Sequence, residues 1–265
     1  MIFHSAFEYS YLWLPLVGFI IGLSAAMIGG GGGFFFPPIL ILFFKVPAQI
    51  AVATSLASTL PICLVGSLGH YRNGNIDLRM GMVFGLAGII GALAGASLTG
   101  LMTAEQLKTA FGVYSILIAF LMILNSYRDK RAKAKGKIFK DGYTFGKISK
   151  GSFYGFAGGI ITGTFGTSGT APVLAGLFAI RMPIKLVVGT SMMVIFVNTF
   201  SALGAHFLIG EIDLTLVYFL AGGAMIGAFI GSRFLGRVKI GRAEGPIKQW
   251  FAIAMATFGI ILIIS

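Results

Sequence analysis

The sequence predicts an all-α membrane protein built as two inverted repeats. Each repeat is a broken, re-entrant helix pair followed by three spanning helices, about eight to ten membrane segments in all. Three observations carry this expectation: apolar runs as long as a bilayer is thick, one offset that superposes the two halves, and a one-sided distribution of basic residues.

Of the 265 residues, 57% are apolar and 11% are charged, and the mean hydropathy is +0.93. A soluble domain of this length cannot hide so much apolar surface, so lipid is the expected solvent. A spanning helix needs about 20 apolar residues. Runs at 12–28, 50–69, 80–101, 107–124, 186–209, 214–234 and 250–264 meet or approach that length. None alternates polar and apolar residues at period two, as barrel strands do.

Each half yields five segments. In the first they are 10–29, 34–45, 48–71, 78–101 and 105–125. In the second they are 150–165, 171–180, 184–207, 214–237 and 246–264. A shift of 136 positions, Thr54 to Thr190, superposes the halves. It also carries Pro47 onto Pro183, Ser55 onto Ser191, His70 onto His206 and Ile76-Asp77-Leu78 onto Ile212-Asp213-Leu214. Scattered Gly and Leu matches arise by chance in membrane sequences; Thr-Ser, His and Gly-x-Ile-Asp-Leu at one offset do not. The expected organisation is a first repeat over 1–126, a basic linker over 127–149 and a second repeat over 150–265.

The net charge of +12 suggests a nucleic-acid partner, but the basic residues sit in short loops between apolar runs, as the positive-inside rule requires. The partner is the bilayer, and no nucleic acid is expected. With the linker in the cytoplasm, Arg72, Arg79, Arg181, Lys185, Arg233 and Arg237 fall on the same side. Only Lys45 and Lys108 of the 20 basic residues fall outside. Each half then crosses the membrane an odd number of times, which inverts the second copy. Both termini come out non-cytoplasmic in a bacterial-type inner membrane. The N-terminus lacks the basic start and small-residue cleavage site of a signal peptide, so its apolar run is expected to remain as a helix.

Three constellations carry candidate chemistry. Gly29–Gly33, with Gly31, Gly32 and Gly33 at its centre, precedes Phe34-Phe35-Phe36-Pro37-Pro38. Its counterpart is the stretch 162–170, with Thr167, Ser168 and Gly169, followed by Pro172. Five glycines destabilise a continuous helix by about 1 kcal/mol each relative to Ala, whereas proline is tolerated in a first turn. Both stretches therefore read as breaks in a helix, and the short segment after each is too short to span upright. Irregular backbone at membrane depth requires burial in protein or a watery cavity. Two half-helix N-termini from opposite faces would form a dipole-lined anion site. The second constellation is Thr54-Ser55 with Thr190-Ser191, whose hydroxyls either donate to an oxyanion or bond the preceding turn. Asn198 and Thr199 have only Ile62 and Cys63 as counterparts, so they would make the site asymmetric. The third is His70 with His206, candidates for proton movement or gating, or interfacial side chains paired with a loop. No Asp or Glu lies deep in a span, which argues against a carboxylate proton relay.

Other chemistries fit less well. Cys63 is the only cysteine, so a cysteine metal cluster is excluded, and no catalytic residue, metal or cofactor is expected. No Gly-Lys-Ser/Thr follows the glycines, which excludes a P-loop. Gly166-Thr-Ser-Gly169 matches the G-x-S-G of intramembrane serine proteases. That alternative would need Ser168 and His206 within hydrogen-bond reach.

The glycine loops also resemble the TauE/SafE family, the sulfite exporter and toluene-sulfonate uptake permeases. The match is Gly29, Gly31, Gly32, Gly33, Pro38 and Leu40, then Ala53-Thr54-Ser55-Leu56, with Gly163, Gly166, Gly169, Pro172 and Thr190-Ser191 in the second half. Thr167 and Ser168 stand where members often have further glycines. The resemblance spans about 12–264, nearly the whole chain. It implies a non-enzymatic secondary transporter, an exporter of small sulfur-containing or carboxylated anions such as sulfite or organosulfonates; an anion channel is the alternative. Oligomeric state is not read from the sequence.

Overall fold

The computed structural model describes residues 2–132, 144–237 and 244–264. Ten α-helices run in chain order among them: α1 (Leu14–Ile28), α2 (Phe36–Phe43), α3 (Ala48–Arg72), α4 (Leu78–Leu101), α5 (Ala104–Ala132), α6 (Phe145–Phe165), α7 (Thr170–Ala179), α8 (Ile184–Ile209), α9 (Leu214–Arg237) and α10 (Glu244–Ile264). A short 3-10 turn, Tyr9–Trp13, leads into α1. The all-α expectation holds. Among the described residues, five stretches are long and apolar enough to cross a membrane: Tyr9–Met27, Ala48–Arg72, Leu78–Leu101, Ile184–Ile209 and Leu214–Arg233.

The helix ends follow from local chemistry. Asp77 caps α4 by accepting from the Met80 N–H at 3.0 Å. Asp213 does the same for α9, accepting from Thr215 at 3.0 Å and Leu216 at 3.4 Å. Such caps satisfy N–H groups that a helix start leaves without a partner. The two short helices stop just before Lys45 (φ 51°) and Arg181 (φ 61°), both left-handed. Pro47 and Pro183 follow in extended conformation and open α3 and α8.

Two segments differ from expectation. The linker assigned to 127–149 is helical at both edges: α5 continues to Ala132 and α6 begins at Phe145. The rest of that linker, 133–143, lies outside the described residues. The N-terminal Ile2–Phe3 pairs in parallel with Ile212–Asp213, a two-residue strand contact in an otherwise helical chain. Ser5 reinforces it, donating its N–H to Asp213 (3.3 Å) and accepting from the Thr215 hydroxyl at 3.1 Å.

The chain forms two compact units. One takes α1–α4 with α6–α9, and the other takes α5 with α10. In the second unit, Gly112 lies against the Gly259 carbonyl. In the first, glycines bring helix backbones into contact. A Cβ at Gly91 or Gly95 of α4 would strike the Phe156 or Ile160 carbonyl of α6. On α9, a Cβ at Gly227 or Gly231 would strike the Phe19 or Leu23 carbonyl of α1. Small residues that let backbones approach are the common currency of helix packing in lipid. Besides these two helix pairs, α3 packs against α8, and the two carry half of the buried polar side chains among the described residues.

Candidate functional site

Helix α1 ends where Gly29 adopts φ 80°, its N–H bonded to the Ala25 carbonyl at 2.8 Å. Helix α6 ends in the same way at Gly166, φ 64°, bonded to Thr162 at 3.0 Å. An L-residue side chain is strained in this conformation, and there is no room for one: Gly29 lies on the Val188 backbone and Gly166 on the Val52 backbone. Each break therefore rests on the long helix that begins the crossing in the other half of the chain.

The Thr-Ser pairs explain that seating. Ser55 donates to the Gly166 carbonyl at 2.8 Å, and Ser191 donates to the Gly29 carbonyl at 2.8 Å. Thr54 accepts the Asp213 N–H at 3.1 Å, and Thr190 accepts the Asp77 N–H at 2.9 Å. His70 Nε2 meets the Ala26 carbonyl at 3.0 Å, and His206 Nε2 meets the Gly163 carbonyl at 2.7 Å. A carbonyl only accepts, so both rings donate from Nε2. Each of these six contacts has a counterpart in the other half, 136 or 137 positions along, and these Ser and Thr bonds run from one half to the other.

The hydroxyls of Thr54, Ser55, Thr190 and Ser191 are buried and already engaged with backbone, so they hold the broken loops and the α3–α4 and α8–α9 turns in place. The two half-helix ends are not alike in their free N–H groups. Pro37 and Pro38 fill the first turn of α2 and have no N–H, so Phe36 is left as its first-turn donor. In α7 only Pro172 is lost, leaving Thr170 and Ala171.

The two loops meet directly. The hydroxyls of Ser168 and Thr170 lie 2.5 and 2.7 Å from the Gly30 carbonyl and 2.9 Å from each other. Gly31 faces Ile195, Cys63 and Ser168, while Gly32 faces Ile21 and Ala25. Gly169 begins α7 against the Gly158 backbone. Ser168 and His206 are each bonded to a different backbone carbonyl, so the pairing a serine protease would need is not made.

Beside this junction lie buried polar atoms with no hydrogen-bond partner, Thr59 Oγ1, Thr167 Oγ1 and both side-chain atoms of Asn198, and the next residue of α8, Thr199, has an unpaired Oγ1 as well. All four residues are 0–1% exposed. Gly33 borders the Thr59 hydroxyl, and Gly158 borders both the Gly169 carbonyl and the Asn198 amide. Leaving such a group unpaired costs about 1–3 kcal/mol, which makes these residues candidates for holding a polar ligand. Thr59 was not singled out from the sequence. Its neighbour Ser58 bonds back to the Thr54 carbonyl at 2.9 Å, as membrane-helix hydroxyls commonly do, and nothing in the sequence separates the two.

The family profile described as sulfite exporter TauE/SafE matches residues 14–262. Two relatives from Bacillus subtilis (strain 168) cover most of the chain. The probable membrane transporter protein YdhB is 30% identical over 220 residues, 83% of this chain and 88% of the relative. The probable membrane transporter protein YunE is 28% identical over 225 residues, 82% of each. A probable membrane transporter protein of Xylella fastidiosa (strain Temecula1) is 28% identical over 148 residues, 56% of this chain and 54% of the relative. No solved structure matches the chain significantly. With its bilayer-length helices and near-complete profile match, the chain is a multi-pass membrane transporter and belongs to the sulfite exporter TauE/SafE family.

Proposed function

We propose that the protein is a secondary transporter that exports small anions such as sulfite or organosulfonates, bound where the two glycine loops meet. The observation that carries this reading is the unpartnered set Thr59, Thr167, Asn198 and Thr199 beside the junction. Hydroxyl and amide donors pair well with sulfonate or sulfite oxygens, and a hydrogen bond to a charged partner contributes about 1.5–3 kcal/mol. No charged side chain lies deep in a span, so the site would attract an anion without trapping it. Sulfite changes charge near neutral pH, so its own protonation supplies a route to coupling without a buried acid.

The reading includes two inverted repeats, 1–126 and 150–265, joined by a cytoplasmic linker over 127–149, with both termini outside the inner membrane. The contacts at the 136 and 137 offsets support it, because each half holds the other's broken loop. Such a pair could rock about a shared site. His70 and His206, each clamping the end of a broken helix, are the gating candidates.

The test is transport in proteoliposomes with sulfite, sulfate, sulfoacetate, taurine and carboxylates at two pH values. Saturable movement of a sulfur oxyanion, lost in Asn198→Leu, is the expected result. If no anion of this panel moves in either direction, the assignment fails; single-channel currents would replace it with a channel.

A further inference from the structure

A second polar feature lies apart from the loop junction, at the C-terminal ends of α3 and α9. There Val65, Leu68, Gly69, Arg72 and Asn73 face Phe229, Ser232 and Arg233 across a half-open cavity of about 310 Å³. The two helices close on each other because Gly69 has no side chain and lies against Ser232. Asn73 locks them, its Nδ2 donating to the Ser232 carbonyl at 3.3 Å.

Among the described residues, those lining the cavity carry two guanidinium groups and no carboxylate. Neither α3 nor α9 contains an acidic residue. Arg233 is held with its guanidinium carbon 4.3 Å from the centre of the Phe229 ring, a cation–π contact that keeps the charge over the cavity. The fold does not require this charge. At the 136-position shift, Arg72 corresponds to Leu208 and Arg233 to Ser97, so the other half has no guanidinium at these positions.

The surroundings decide what kind of anion fits. One turn and two turns deeper along the same helices lie Leu68 and Leu64 on α3, and Phe229, Ile226 and Met225 on α9, all exposed. A paired basic end above an uncovered apolar track matches an amphipathic ligand with a phosphate at one end and hydrocarbon at the other. Both arginines lie on the side that the charge distribution assigns to the cytoplasm, where anionic lipid headgroups attract basic residues.

We propose that this cavity binds the phosphate of an anionic membrane lipid between Arg72 and Arg233, with an acyl chain along the exposed apolar residues of α3 and α9. The test uses the full chain, purified and transferred to nanodiscs of phosphatidylcholine doped with phosphatidylglycerol, with lipid retention read by native mass spectrometry. One retained phosphatidylglycerol per chain is expected. A basic residue near an anionic surface contributes about 1 kcal/mol, so each single variant, Arg72→Gln or Arg233→Gln, should weaken retention about fivefold and the double variant about 30-fold. Arg72→Lys with Arg233→Lys keeps both charges and should hold the lipid within a few-fold of wild type. Arg181→Gln with Lys185→Gln, on the same expected face, should leave retention unchanged. The proposal is overturned if the Gln variants retain the lipid as wild type does, or if the control pair loses it equally. It is also overturned if millimolar inorganic phosphate displaces the lipid, which would make the ligand a soluble anion. The single variants keep the test decisive should the double variant fail to fold.

Discussion

Thr54 and Thr59 stand five residues apart on α3, and replacing each by valine should change stability in opposite directions. The two changes are nearly isosteric, so each removes a hydroxyl with little change in volume. Thr54 is 0% and Asp213 3% exposed, and the Thr54 oxygen is the acceptor for the Asp213 N–H at 3.1 Å. Thr54→Val strands that donor in a dry interior, which costs about 1–3 kcal/mol. The Thr59 hydroxyl is equally buried at 1% but has no partner. Thr59→Val removes an unpaid desolvation cost and should leave the empty protein unchanged or more stable by up to about 1–3 kcal/mol. Transport should respond the other way. If Thr59 donates to the bound anion, losing that bond raises KM about 10- to 100-fold, from about 1.5–3 kcal/mol at 1.4 kcal/mol per decade. Thermal unfolding in detergent, without and with sulfite, paired with initial transport rates, reads both quantities. The reasoning fails if Thr59→Val destabilises the protein as much as Thr54→Val and leaves KM unchanged, since Thr59 would then be packing and not binding.

The other predictions probe the framework. Gly166→Ala places a side chain at φ 64° against the Val52 backbone, whereas Gly74→Ala meets φ 67° with nothing within 4 Å. Strain alone costs about 1–2 kcal/mol, so Gly74→Ala should lose about that much in a denaturation assay and Gly166→Ala clearly more. Gly163→Ala would drive a methyl into the Ala92 carbonyl and Gly227→Ala into that of Phe19. Each should lower stability by about 1–3 kcal/mol, measured by detergent melting curves, and equal losses would mark the α4–α6 and α1–α9 contacts as equivalent. His206→Gln retains a donor for the Gly163 carbonyl, while His206→Phe does not. Gln should therefore rescue transport that Phe impairs, at every pH tested; a pH response lost in Gln as well would assign the ring to proton movement.

The long helices were legible because their signals are local. The bounds read for α4 and α9, 78–101 and 214–237, are those observed, since an aspartate cap opens each and the apolar run is uninterrupted. α5 and α6 run further than read because their ends are amphipathic and basic, and hydropathy does not mark where such a helix stops. The Thr-Ser pairs were recognised as important, but their partners lie in the opposite half, and no local pattern reveals a contact made more than 100 positions away. The broken loops show a related effect. Motif spacing that sets Pro38 on Pro172 carries Gly32 onto Gly166, yet the contacts pair Gly29 with Gly166. Gly33-Phe34-Phe35 intervene before α2, whereas α7 starts directly after Gly169.

That difference in register separates what the two halves share from what they do not. The shared contacts, Ser to loop carbonyl, Thr to turn N–H and His Nε2 to helix end, are each made within the protein, although His70 Nδ1 stays without a partner. Three of the unsatisfied residues have no polar counterpart at the 136 shift: Thr59 corresponds to Ile195, Asn198 to Ile62 and Thr199 to Cys63. A duplicated frame gains nothing by leaving polar atoms buried and unpaired, because each costs stability. Residues that break the duplication and also carry that cost are therefore where binding should be sought. By this argument the Thr-Ser pairs set the geometry, and Thr59, Thr167, Asn198 and Thr199 are the positions at which the proposed anion binding should be tested first.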